Sequence, residues 1–211
     1  MVMLLTASGA YAKTIKIIAF GDSLTAGYGL PPGDAFPDKL QAALRREGLD
    51  VEIINSGVSG DTTAAGLARF DWAIPSDADG VILQLGANDA LRGLTPDIPR
   101  RNLTAILDKL RQRNMPVLIA GMLSPPNWGD EYRTAFNGIY PALAKTYGAP
   151  LYPFFLEGVA MEPKLNQSDG IHPNAKGIDL IVAGILPKVK QLIANIEAAS
   201  ANEKPASSAA N

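Results

Sequence analysis

The sequence predicts an α/β protein, a single-domain three-layer α/β/α sandwich around a five-stranded parallel sheet. Three observations predict it. Short apolar, β-branched runs recur about every 30 to 35 residues, the length of a βαβ unit. Segments of helical spacing separate them, and polar, turn-forming clusters follow four of the five runs. The chain has 211 residues, 47% of them hydrophobic, enough to bury one core, and one domain over residues 13–195 is expected.

Residues 1–12, MVMLLTASGAYA, end in Ala10-Tyr11-Ala12, the small-x-small pattern that precedes signal-peptidase cleavage, but lack a basic start. They read as a signal-peptide remnant, which favours a periplasmic or secreted location, or as a plain N-terminal extension, which leaves the cytoplasm open. Strands are expected at 14–20 (TIKIIAF), 51–55 (VEIIN), 80–85 (GVILQL), 116–122 (PVLIAGM) and 150–155 (PLYPFF), each apolar enough to be buried on both faces. Helices are expected over FPDKLQAALRREG, where Phe36, Leu40, Ala43 and Leu44 share a face and Gly48 ends the pattern. DIPRRNLTAILDKLRQRN, EYRTAFNGIYPALAKTYG and AKGIDLIVAGILPKVKQLIANI follow the same rule. Residues 196–211 lose the apolar period for Ala, Ser and Asn and read as a disordered tail.

Composition narrows the function. A formal net charge of −2 argues against a nucleic-acid partner or an anionic membrane surface. No run of 18 apolar residues exists, so no stable membrane insertion is expected. Without cysteine and with one histidine, thiolate chemistry and multi-histidine metal sites are ruled out, and no metal or cofactor is expected. A monomer is the default.

In a doubly wound sheet, ligands bind beyond the carboxyl ends of the strands. The polar clusters fall there: Gly21-Asp22-Ser23 after the first run, NSGVSGD after the second, GAND after the third and SDGIHPN after the fifth. A hydroxyl becomes a nucleophile when a base takes its proton, and the tetrahedral intermediate needs donors aimed at its oxyanion. Ser23 is the candidate nucleophile, and its own N–H a candidate oxyanion donor. His172 is the only imidazole in the chain, and Asp169, three residues earlier, can reach the ring nitrogen facing away from Ser23. Taken singly, each cluster also fits ordinary turn or capping chemistry; it is their joint placement at one edge that points to catalysis. Two imitations fail. Gly57-Val58-Ser59-Gly60-Asp61 lacks the last glycine of a nucleophile elbow, and Gly27-Tyr28-Gly29 with Gly33 misses the dinucleotide spacing.

GDSLTAGYG, SGVSGDTTAAGLARF, LQLGANDALRGLTP and DGIHPNAKG resemble the four blocks of the SGNH (GDSL) hydrolase family, nearest to the bacterial thioesterase I/lysophospholipase L1/arylesterase group. The resemblance spans about residues 15–192 and implies a flavodoxin-like SGNH hydrolase fold. It also implies hydrolysis through an acyl-enzyme, with Ser23, His172 and Asp169 as the triad. Gly60 and Asn88 would join the Ser23 N–H in the oxyanion hole, while Asp22 and Asp89 order the turns. The segment LRGLTP is similar to a mobile loop that covers the acyl chain in this group.

Leu91 and Leu94 either line an apolar groove or pack against the next helix. Leu123, Pro125, Pro126, Trp128 and Tyr132 offer an apolar wall at the same edge. A small-molecule acyl ester or thioester with an apolar tail is expected. The alternatives are a carbohydrate acetylesterase of the same family and a non-catalytic binding protein on the same scaffold.

Overall fold

Ile17, Ile18, Ala19 and Phe20 are all buried, because the strand they form, β1 (Ile15–Gly21), is central in its sheet and both faces of that sheet are covered. The computed structural model describes residues 13–203, so the signal-peptide reading of residues 1–12 lies outside the described residues, as does 204–211. After β1 come α1 (Ser23–Ala26), α2 (Phe36–Arg46), β2 (Val51–Gly57) and α3 (Thr63–Ala73). Then follow β3 (Gly80–Gln84), α4 (Ala87–Leu91), α5 (Asp97–Gln112), β4 (Val117–Ala120), α6 (Asp130–Asn137), α7 (Ile139–Tyr147), β5 (Leu151–Tyr152) and α8 (Ala175–Glu203).

The sheet is parallel throughout, in the order β2-β1-β3-β4-β5. That is the flavodoxin-like order, and its switch point lies between β1 and β3. Gly21 is in register with Gly57 on one side and Gln84 on the other, so the carboxyl ends of β1, β2 and β3 finish level. The segments that follow these three strands therefore meet at one crevice. Helices α2 and α8 pack together on one face, and α3, α5 and α7 succeed one another across the other, giving the expected three layers.

Several boundaries differ from the sequence expectation. The fifth strand shrinks from 150–155 to two residues because Pro153 has no N–H to continue the ladder. The fourth shrinks from 116–122 to Val117–Ala120. The segment 131–148 forms two helices, α6 and α7: Pro141 has no N–H to offer the preceding turn, and Gly138 sits at the joint. Helix α3 has no clear apolar period, and its inward face carries Thr63, Gly66 and Arg69 beside Phe70 and Ala73. Residues 196–203 are helical where a disordered tail was expected. Helix α8 runs on to Glu203, and Ile196 is buried against Gly80 of β3.

Candidate active site

Ser23 opens the short helix α1 directly after β1, with Asp22 as its N-cap. One Asp22 carboxyl oxygen accepts the Leu24 N–H at 3.0 Å, which fixes the turn. The other, Oδ2, is buried without a hydrogen-bond partner. Burial, with Asp61 and Asp89 adding like charge, pushes the Asp22 carboxyl up to about 7.

Ser23 Oγ lies 2.9 Å from His172 Nε2, and His172 Nδ1 lies 2.7 Å from Asp169 Oδ2. A carboxylate can only accept, so Nδ1 carries the proton of the neutral ring and Nε2 is left to accept from the serine hydroxyl. Asp169 also accepts the His172 and Ile171 N–H groups, each at 3.0 Å. The His172 N–H, then the His172 ring, then the Ile171 N–H hold its carboxyl down at about 2. The Tyr28 ring lies against the imidazole, centroids 4.6 Å apart.

The remaining donors sit on the two neighbouring strand ends. The Asn88 side chain, in α4 after β3, donates to the Asp61 carbonyl at 2.9 Å, leaving its second N–H uncommitted. Gly60 lies in the turn closed by the Asp61 N–H to the Val58 carbonyl, 3.1 Å, at φ +87°, which favours glycine. The Ser23 and Gly60 N–H groups have no acceptor among the described residues. Asp89 accepts both the N–H and the hydroxyl of Thr63, at 2.8 and 2.6 Å, tying α4 to α3. It is the turn support expected of it.

A cleft of about 410 Å³ opens beside Ser23, Asn88 and His172. Leu91, Leu123 and Pro125 line it; Leu94 and Trp128 do not. Trp128 instead donates its indole N–H to the Ala90 carbonyl at 2.7 Å and packs on Gly93. The Leu94 carbonyl accepts the Tyr132 hydroxyl at 2.9 Å, so both residues brace the segment behind the cleft wall. Sequence reasoning missed Met122, Leu156, Met161 and Ile171 in that wall. Met161 and Ile171 lie outside the regular elements, where no periodicity marks them, and Met122 was read only as the end of a strand. Among the described residues, no group of three or more His, Cys, Asp or Glu is placed to hold a metal ion. No helix among them is long and apolar enough to cross a membrane.

A hydroxyl, an imidazole and a carboxylate in hydrogen-bonded line, at the carboxyl edge of a doubly wound sheet, are the apparatus of a hydrolase of the acyl-transfer class. Residues 19–180 match the GDSL-like Lipase/Acylhydrolase family. The arylesterase of Vibrio mimicus is 38% identical over 174 residues, 82% of this chain and 87% of that protein. The Escherichia coli protein named thioesterase 1/protease 1/lysophospholipase L1 is 36% identical over 192 residues, 90% of each chain. The crystal structure of AlinE4, described as an SGNH-hydrolase family esterase, superposes with a TM-score of 0.72 at 49% identity, covering 85% of this chain and 97% of that one. The chain belongs to the GDSL-like lipase/acylhydrolase family, and it is an ester-bond hydrolase.

Proposed function

We propose that Ser23, His172 and Asp169 form the catalytic triad of a serine esterase and thioesterase acting on small acyl esters or thioesters with an apolar tail. The observation that carries this reading is the 2.9 and 2.7 Å relay from Ser23 to Asp169 opening directly into the apolar cleft. Ser23 Oγ attacks the acyl carbon while His172 Nε2 takes its proton. The oxyanion is met by the Ser23 and Gly60 N–H groups and the free Asn88 N–H. The intermediate collapses as His172 returns the proton to the departing alcohol or thiol, and water, activated by His172, then cleaves the acyl-enzyme. Asp169, depressed to about 2, stays ionised throughout and stabilises the imidazolium.

Leu91, Leu123 and Pro125 would receive the acyl tail, together with Met122, Leu156, Met161 and Ile171. Every proposed group comes from one chain, so a monomer suffices. The substrates named for the relatives, aryl esters, thioesters and lysophospholipids, share this acyl chemistry. Export, from the Ala10-Tyr11-Ala12 pattern, is read out by the N-terminus of the protein made in its host.

The test is hydrolysis of p-nitrophenyl esters from acetyl to palmitoyl, with Ser23→Ala beside the parent. Turnover that peaks at medium or long chains and vanishes in Ser23→Ala is expected. Activity confined to acetyl esters would contradict the tail reading, and activity surviving in Ser23→Ala would contradict the triad.

A further inference from the structure

We infer that Arg69 is a positioning residue for the oxyanion hole, setting the Gly60 turn, the Asn88 amide and the strand end before Ser23 in one register through Asp61. The inference rests on the roles proposed above for Ser23, Gly60 and Asn88.

A guanidinium is costly to bury unless its donors are matched, and Arg69 is only 6% exposed. It sits on α3, a helix that contributes nothing to the cleft wall, yet its fork reaches three separate segments. Nε pairs with the Asp61 carboxylate, Nη1 donates to Ser56 Oγ at 3.2 Å, and Nη2 donates to the Gly21 carbonyl at 2.9 Å. The Phe20 ring covers one face of the guanidinium, 4.2 Å from its carbon. The fork is thereby held in one plane.

Two of these contacts, to Asp61 and to the Gly21 carbonyl, lead to proposed oxyanion donors. Gly21 stands two residues before Ser23, and its carbonyl also accepts the Val58 N–H at 3.0 Å, so β1 is bound to the start of the Gly60 turn. Asp61 closes that turn through its N–H to Val58. The Asp61 carbonyl takes one N–H of Asn88, which fixes the plane of the amide and leaves the other N–H for substrate. Asp61 thus joins the turn to Asn88, and Arg69 joins Asp61 to the strand that delivers Ser23. A displacement of about 1 Å in such donors weakens them in the transition state while leaving the binding of the acyl tail alone. A lysine ammonium lacks the planar fork and cannot hold the three acceptors together.

The experiment compares the parent, Arg69→Lys and Asp61→Asn, each checked for folding by circular dichroism. Steady-state kinetics use a p-nitrophenyl ester, and a second readout is inhibition by an alkylboronic acid. Boron accepts the Ser23 oxygen as His172 takes the hydroxyl proton, giving a tetrahedral anion that needs the same donors as the oxyanion. In both variants kcat should fall on the order of 10- to 100-fold with KM changed by less than about twofold, and boronate affinity should weaken by about the factor lost in kcat/KM. A folded variant with parental kcat, or one whose kcat falls without matching loss of boronate affinity, overturns the inference. If Arg69→Lys does not accumulate as folded protein, Asp61→Asn decides by the same two readouts. Ser23→Ala run alongside separates the two levels. Activity surviving there defeats the triad, whereas an inactive Ser23→Ala with a fully active Arg69→Lys defeats only the role of Arg69.

Discussion

Asp22 sits beside the proposed nucleophile with one carboxyl oxygen satisfied and the other buried without a partner. Its pKa rises from 3.8 to about 7, chiefly through burial. Between those values the folded chain keeps a proton that the unfolded chain has released, so this group makes stability fall as pH rises through that window. Below the window both states are protonated and the penalty is absent. Asp22→Asn keeps an acceptor for the Leu24 N–H and cannot ionise. Urea unfolding of both proteins across this pH range should show the parent losing stability relative to the variant as pH rises, and a constant difference would contradict the account. At this scale Ser23 was legible because it falls just after an apolar run, and Asp169 and His172 because they share the polar cluster that follows the last run and there is one histidine to choose. Arg69 was not, since a lone arginine within a helix reads as a solvated face until the fold buries it.

Elements place these residues by how closely they approach one another. Gly57, the last residue of β2, lies so near α1 that a Cβ there would overlap the backbone of Thr25 and Ala26. Backbone cannot rotate aside, so Gly57→Ala should push α1 and Ser23 away from β2, costing roughly 1–3 kcal/mol of stability and lowering turnover. Thermal unfolding and ester hydrolysis check both, and a variant with parental Tm and parental kcat would show that the approach is not needed. The five strands and the helices α2, α5 and α8 were legible from periodicity. The gap between α6 and α7 was not, because it depends on one absent N–H at Pro141 within an otherwise apolar repeat. Nor was the length of α8, whose last turns read as Ala- and Ser-rich tail although Ile196 packs against β3.

The whole molecule turns a strand order into a reaction site. The order β2-β1-β3-β4-β5 brings the ends of β1, β2 and β3 level, so Ser23, Gly60 and Asn88 come from three consecutive strand exits while Asp169 and His172 arrive from the far end of the chain. The doubly wound class was legible, and with it the edge that carries the chemistry. The cleft was only half legible. Leu91, Leu123 and Pro125 were named for it, but part of its other wall comes from Leu156 and Met161, between β5 and α8, where no periodicity marks them. In the proposed mechanism Ser23 carries the acyl group between two half-reactions. The most direct test is mass spectrometry of protein quenched during turnover of a long-chain p-nitrophenyl ester. An acyl mass on the peptide containing Ser23, absent from Ser23→Ala, is the expected result; an acyl group on another residue, or turnover persisting in Ser23→Ala, would contradict it.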